Sequence, residues 1–184
     1  MSSFEQVTAT GLSGLLEGGV SHDKITRMLS GKDYGKDLWQ EVKSLVRSYG
    51  SDDACLIFDD TIVNKPYTDE NDLISWHWGH SKNCNERGIN LLMAFYHTHT
   101  STASEALCIP VSFECVKKPV RFIDSKTGKK KGKGSVTKNE MMRSMVEQAV
   151  DSQHLKFRYV LAGSWFSSSG NMLFIHKLKK YCVL

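Results

Sequence analysis

The sequence has no long hydrophobic run. Its longest apolar stretch is the six residues from Leu91 to Tyr96, whereas a membrane-spanning helix needs about 20. The first residues do not place a basic region ahead of an apolar stretch, so we expect no secretory signal. We therefore expect a protein without a transmembrane helix.

The cysteines form no C-x-x-C pair. Five of them, an odd number, are scattered along the chain. Such a set without a signal indicates reduced thiols and a cytoplasmic protein. His77, His80 and Cys84 have the spacing of three metal ligands, but a structural zinc site needs four and no partner pair is present. The sequence therefore argues against zinc.

A strong net charge is also absent. The chain has 24 Lys and Arg against 20 Asp and Glu, a net charge of +4. The positive charge is concentrated between Lys117 and Lys133, where eight basic residues face the single acid Asp124. This stretch does not have phosphate-loop spacing. It predicts a flexible basic loop, and charge alone leaves open whether that loop is solvated or binds nucleic acid.

The 184 residues are enough for one domain with a small helical annex, and 40% hydrophobic residues are typical of a globular chain. Glycine-broken helical patterns occupy the first fifty residues, in a weak helix-turn-helix-like arrangement. Alternating or apolar runs then predict strands, followed by helix, strand and helix, a mixed α/β fold. Strands are expected near 54–58, 76–80, 89–97, 105–116 and 157–166, and helices near 36–47, 138–150 and 170–180. Trp76, Trp78 and Trp165 are candidates for stacking on bases or for a groove wall, but their strand positions favour the core, and we expect them to be core residues.

Two adjacent carboxylates, Asp59 and Asp60, follow the apolar run that ends at Phe58. Neighbouring strand residues point to opposite faces, so only one of the two can face a site above the sheet. Aspartates are common at solvated strand ends and turns. By themselves these residues do not establish a site.

Five segments together give the chain a resemblance to the DDE transposases of bacterial insertion sequences. The resemblance spans nearly the whole sequence, and the combination of segments is more specific than any one of them. The segments are LLEGGVSHDKITRMLS (15–30), LIFDDTIVNKP (56–66), WHWGHSKNCNERGIN (76–90), KNEMMRSMVEQAV (138–150) and YVLAGSWF (159–166).

The resemblance implies an RNase H-like catalytic domain in which three carboxylates hold two Mg²⁺ or Mn²⁺ ions. The family's first carboxylate lies in a D-T dipeptide, which Asp60 matches, with Asp59 as the fallback. Its second carboxylate precedes Ser-Trp-Phe, where this chain has Gly163, and its third lies beyond Leu184. We therefore expect a truncated, inactive, transposase-like protein that binds these metals weakly.

The resemblance also implies that DNA is the partner, with Lys129, Lys130, Lys131 and Lys133 contacting its backbone. We expect a helical segment over 1–50, a candidate for DNA binding, and a partial RNase H-like domain over 51–184. Self-association, or association with an intact transposase, is a further expectation. Two alternatives stay open: a non-catalytic DNA-binding protein or repressor, and an active nuclease using Asp124, Glu140 or Asp151.

Overall fold

The computed structural model describes residues 34–79, 82–99, 106–126, 128 and 130–184, together with positions 14, 19–21, 23, 24 and 27. The chain divides into two compact units, Met1–Asp37 and Leu38–Leu184. The short helices predicted ahead of residue 31 lie almost entirely outside the described residues. A functional boundary after residue 50 stays a prediction.

The second unit is built on one large sheet and one small one. The strands are β1 (Cys55–Asn64), β2 (Ile74–Gly79), β3 (Cys84–His99), β4 (Ala106–Cys115), β5 (Val120–Ile123), β6 (Lys130–Lys133), β7 (Tyr159–Ala162) and β8 (Tyr181–Val183). The large sheet has the order β2-β3-β1-β7-β8, with β4 also paired to β3. Strands β5 and β6 form a separate antiparallel hairpin.

Strand directions in the large sheet are mixed. Strand β3 is antiparallel to β1, β2 and β4, whereas β1, β7 and β8 are mutually parallel. Parallel neighbours need crossover connections, and the helix over Ser169–Lys177 supplies the one between β7 and β8. The predicted mixed α/β fold class is therefore confirmed, and the sheet is consistent with the RNase H-like arrangement that the resemblance implies.

The core lies at the centre of this sheet. Leu56 and Phe58 of β1 are 0% and 2% exposed, because β1 has β3 on one side and β7 on the other. The prediction of a central strand at Leu56–Phe58 is confirmed. The strand runs six residues further than the apolar run, however, because its pairing with β3 continues to Asn64.

In the described residues from 34 onward, the α-helices are α1 (Tyr34–Ser48), α2 (Lys138–Glu147) and α3 (Ser169–Lys177). Helix α2 begins with a capping box in which Thr137 and Glu140 satisfy each other's backbone N–H groups. Its Met142, Met145 and Val146 are buried in the same core as Leu56. The helix then widens into a π-helical turn, Gln148–Ser152. Across the described ranges, no helix has both the length and the apolar character to cross a membrane.

Two expectations about this region are corrected. The lysine-rich stretch is a hairpin with Gly128 in the turn at φ 66°, rather than a flexible loop. The strand expected over 157–166 ends at Ala162, because Ser164–Phe166 form a 3₁₀ turn. The short strand β8 had no sequence signal strong enough to predict it.

Candidate functional site

Asp60 lies inside β1, not at a strand end that emerges into solvent. Alternation along β1 puts its side chain on the face that carries Leu56 and Phe58, and puts Asp59 on the opposite face. The Asp60 side chain is 23% exposed to solvent, whereas Asp59 is exposed. Of the two predicted carboxylates, only Asp60 therefore lies under helix α2.

The carboxylate of Asp60 is held by two side chains. The ammonium group of Lys138, the first residue of α2, forms an ion pair with its Oδ2. The amide Nδ2 of Asn90, on β3, lies 3.5 Å from the same oxygen. Asn90 is 1% exposed, and its Oδ1 has no hydrogen-bond partner among the described residues. Asp60 thus has a cation beside it that comes from the protein itself.

A buried polar pair on β2 contributes to the electrostatics of this region. The Nε2 of His77 lies 3.0 Å from the hydroxyl of Ser75, and both residues are buried. Burial lowers the pKa of His77 to about 4, and the positive charges of Lys118 and Lys138 add to this effect more than Asp60 opposes it. His77 is therefore neutral at physiological pH.

Gly163 follows β7 directly. The pairing of β1 with β7 ends at Phe58 and Ala162, so Gly163 comes directly after the last paired residue of β7. Its φ of −64° and ψ of 158° suit any residue, and a Cβ at this position meets no atom within 4 Å. The fold therefore does not require glycine at residue 163.

A two-metal site does not fit the residues described here. No group of three His, Cys, Asp or Glu side chains within the described ranges could hold a metal ion. The candidate replacement carboxylates are elsewhere: Asp124 is paired with Lys131, Glu140 caps α2, and Asp151 is exposed in the π-helical turn. Of the zinc candidates, Cys84 is exposed and His80 lies outside the described residues.

The predicted DNA-binding lysines belong to the hairpin. Lys130, Lys131 and Lys133 lie on β6, and Lys129 is outside the described residues. Lys131 forms an ion pair with Asp124 across the hairpin turn, and Lys133 lies opposite Val120 in the β5–β6 register. The hairpin fixes the backbone of three of the four lysines, which a flexible loop would not do.

The prediction that the tryptophans are core residues is wrong. Trp76 and Trp78 are 51% and 48% exposed on β2, and Trp165 is 60% exposed. Strict alternation with the buried Ser75 and His77 could have indicated this, because it places both β2 tryptophans on the opposite face. The guanidinium of Arg87 lies 5.8 Å from the Trp76 ring.

Beside these rings lies a cavity of about 570 Å³. We call it the tryptophan groove. The residues that line it include Trp76, Trp78, Glu70, Asn85, Lys118 and Lys131. Lys118 donates a hydrogen bond to the backbone carbonyl of Trp76. Asn85 is in β3 opposite Trp78.

No family model matches this sequence, and no curated protein matches it. Among solved structures, the chain is similar to one described as "Drosophila P element transposase strand transfer complex", with 12% sequence identity and a TM-score of 0.32. The match covers 97% of this chain and 37% of that one, so the chain spans little more than a third of its length. A match at this score carries no conclusion about the fold of the chain.

Proposed function

We propose that this chain is a transposase-like protein that binds DNA without cleaving it. The observation that carries the proposal is the ion pair between Asp60 and Lys138. A transposase-like site would use the Asp60 carboxylate as a metal ligand, and here an ammonium group occupies one of its oxygens. This proposal corresponds to the alternative that the sequence left open, a non-catalytic DNA-binding protein derived from a transposase.

The rest of the centre supports the absence of cleavage. Two-metal phosphoryl transfer needs two cations about 4 Å apart on shared ligands. Gly163 offers no side chain, and the Asn90 amide is a neutral group next to Asp60. Mg²⁺ dehydrates reluctantly and demands precise ligand placement. We therefore expect Mg²⁺ and Mn²⁺ to bind weakly at Asp60.

The edge of the domain supports DNA binding. Lys131 and Lys133 project from the hairpin, Arg121 lies on its other strand, and Lys118 lies in the segment that leads into it. Clustered cations bind phosphates by releasing counterions, so binding of this kind falls steeply with salt. Self-association and association with an intact transposase remain predictions that follow from the resemblance.

Binding and cleavage can be tested on one preparation of the full chain. A gel-shift assay with duplex DNA should show binding that weakens with added salt. A supercoiled-plasmid assay with Mg²⁺ or Mn²⁺ should show no nicking. The double substitution Lys131→Glu/Lys133→Glu should abolish the shift. Lys177→Glu/Lys179→Glu, at two exposed positions elsewhere, makes the same change of charge and is the matched control.

Two results would contradict the proposal. Metal-dependent nicking that Asp60→Asn abolishes would show that the centre is catalytic. An absence of any DNA shift at low salt, with a folded protein, would show that the chain is not a DNA-binding protein.

A further inference from the structure

We propose that the tryptophan groove binds an unpaired base of a DNA strand, stacked against Trp76 and Trp78. The inference rests on the proposed function and adds to it a preferred DNA structure. The ligand class is a nucleotide whose base has left the duplex, as at a single-stranded end.

The two indole rings are placed for stacking. Trp76 and Trp78 are two residues apart on β2, on the same face, and both line the cavity. Two steps along a strand cover about 6.8 Å, which is twice the spacing of about 3.4 Å between stacked base pairs. This separation leaves room for one base between the rings.

Within the part of the chain that the structure describes, neither tryptophan is buried by its neighbours. Each ring leaves about half of its surface in solvent, although large aromatic side chains gain most from burial. A neighbouring pair of exposed aromatics in a cavity is typical of a binding site rather than of scattered surface residues. Arg87 already provides a cation near the Trp76 ring, as is common where aromatics stack on bases.

The polar groups of the groove suit a nucleotide rather than an apolar ligand. Lys118 and Lys131 bring positive charge to the wall and can face a phosphate. The carboxylate of Glu70 accepts hydrogen bonds from an exocyclic amino group, and the amide of Asn85 both donates and accepts. A paired base stacks on its neighbours and hides both ring faces, so only an unpaired base can enter.

The test compares two fluorescently labelled DNAs of the same duplex sequence, one blunt and one with a short single-stranded end. Full-length wild-type chain should bind the second more tightly. Trp76→Ala/Trp78→Ala should weaken binding to that DNA by about 5- to 150-fold, the range for loss of base stacking, and leave binding to the blunt duplex nearly unchanged. Tyr181→Ala, an exposed aromatic on the opposite edge of the sheet, should change neither.

A second measurement does not depend on how the variants fold. With 2-aminopurine in the single-stranded end, stacking on the indoles should quench its fluorescence when wild-type chain binds. Two results would overturn the inference without contradicting the proposed DNA binding. One is unchanged fluorescence when the wild type binds, and the other is an equal loss of affinity for both DNAs in the tryptophan variant. Failure of the wild type to bind either DNA would instead refute the proposed function.

Discussion

The centre of the sheet and its β2 edge use polar groups in opposite ways. At the centre, Asp60 is satisfied by Lys138 from the same chain, above the buried residues Leu56 and Phe58. At the edge, Trp76 and Trp78 are half exposed beside Lys118 and the hairpin residue Lys131. The centre therefore serves the stability of the fold, and the edge retains the groups that could contact a partner.

The largest expected effect is a difference in unfolding free energy between substitutions at the centre and at the edge. Phe58→Ala removes a buried ring from the centre and should lower the free energy of unfolding by about 3–5 kcal/mol. Trp78→Ala removes a half-exposed ring from the edge and should cost less than about 1 kcal/mol. Urea unfolding of both variants measures the difference. Similar costs would show that the edge is as much a part of the core as the centre.

The next effect concerns pH. Unfolded His77 binds a proton near pH 6.5, whereas in the folded chain its pKa is about 4, so the unfolded state binds more protons between these values. The contribution of neutral His77 to the free energy of unfolding should be complete above about pH 6.5 and should fall as the pH drops toward 4. The loss should be on the order of 2 kcal/mol after allowance for solvent screening.

Unfolding at several pH values, compared with His77→Gln, isolates the contribution of this residue. The groups around His77 are Ser75, Lys118, Lys138 and Asp60. The variant should lose that part of the pH dependence. An identical pH profile in both proteins would show that His77 protonates as freely in the folded chain as in the unfolded one.

A smaller effect measures the ion pair itself. Lys138→Met leaves the Asp60 carboxylate without its cation, and both side chains retain about a fifth of their exposure. A double-mutant cycle with Asp60→Asn should give a coupling free energy of about 1–2 kcal/mol, between the values for surface and buried pairs. A coupling near zero would show that the two groups do not depend on each other in solution.

Much of the fold was accessible from local patterns. Helix α1 and helix α2 follow from apolar spacing and, for α2, from the Thr137 and Glu140 cap. Strands β1 to β4 follow from alternation or apolar runs. The β5–β6 hairpin escaped prediction because its second strand, Lys130–Lys133, is almost entirely lysine and carries no alternation.

The site was less accessible because it depends on distant parts of the chain. The pairing of Asp60 with Lys138 joins residues 78 positions apart, and no local pattern predicts it. The choice between Asp59 and Asp60 needed the register of β1 against β3 and β7. The role of Asp60 as a former metal ligand remains a prediction from the resemblance.

The central claim is that the ammonium group of Lys138 takes the place of a metal ion beside the Asp60 carboxylate. Calorimetric titration of Mn²⁺ tests it directly, on the wild type and on Gly163→Asp/Lys138→Met. The account predicts no saturable binding to the wild type. It predicts binding to the double variant that Asp60→Asn abolishes and Asp59→Asn preserves. Saturable Mn²⁺ binding to the wild type that disappears with Asp60→Asn would contradict it.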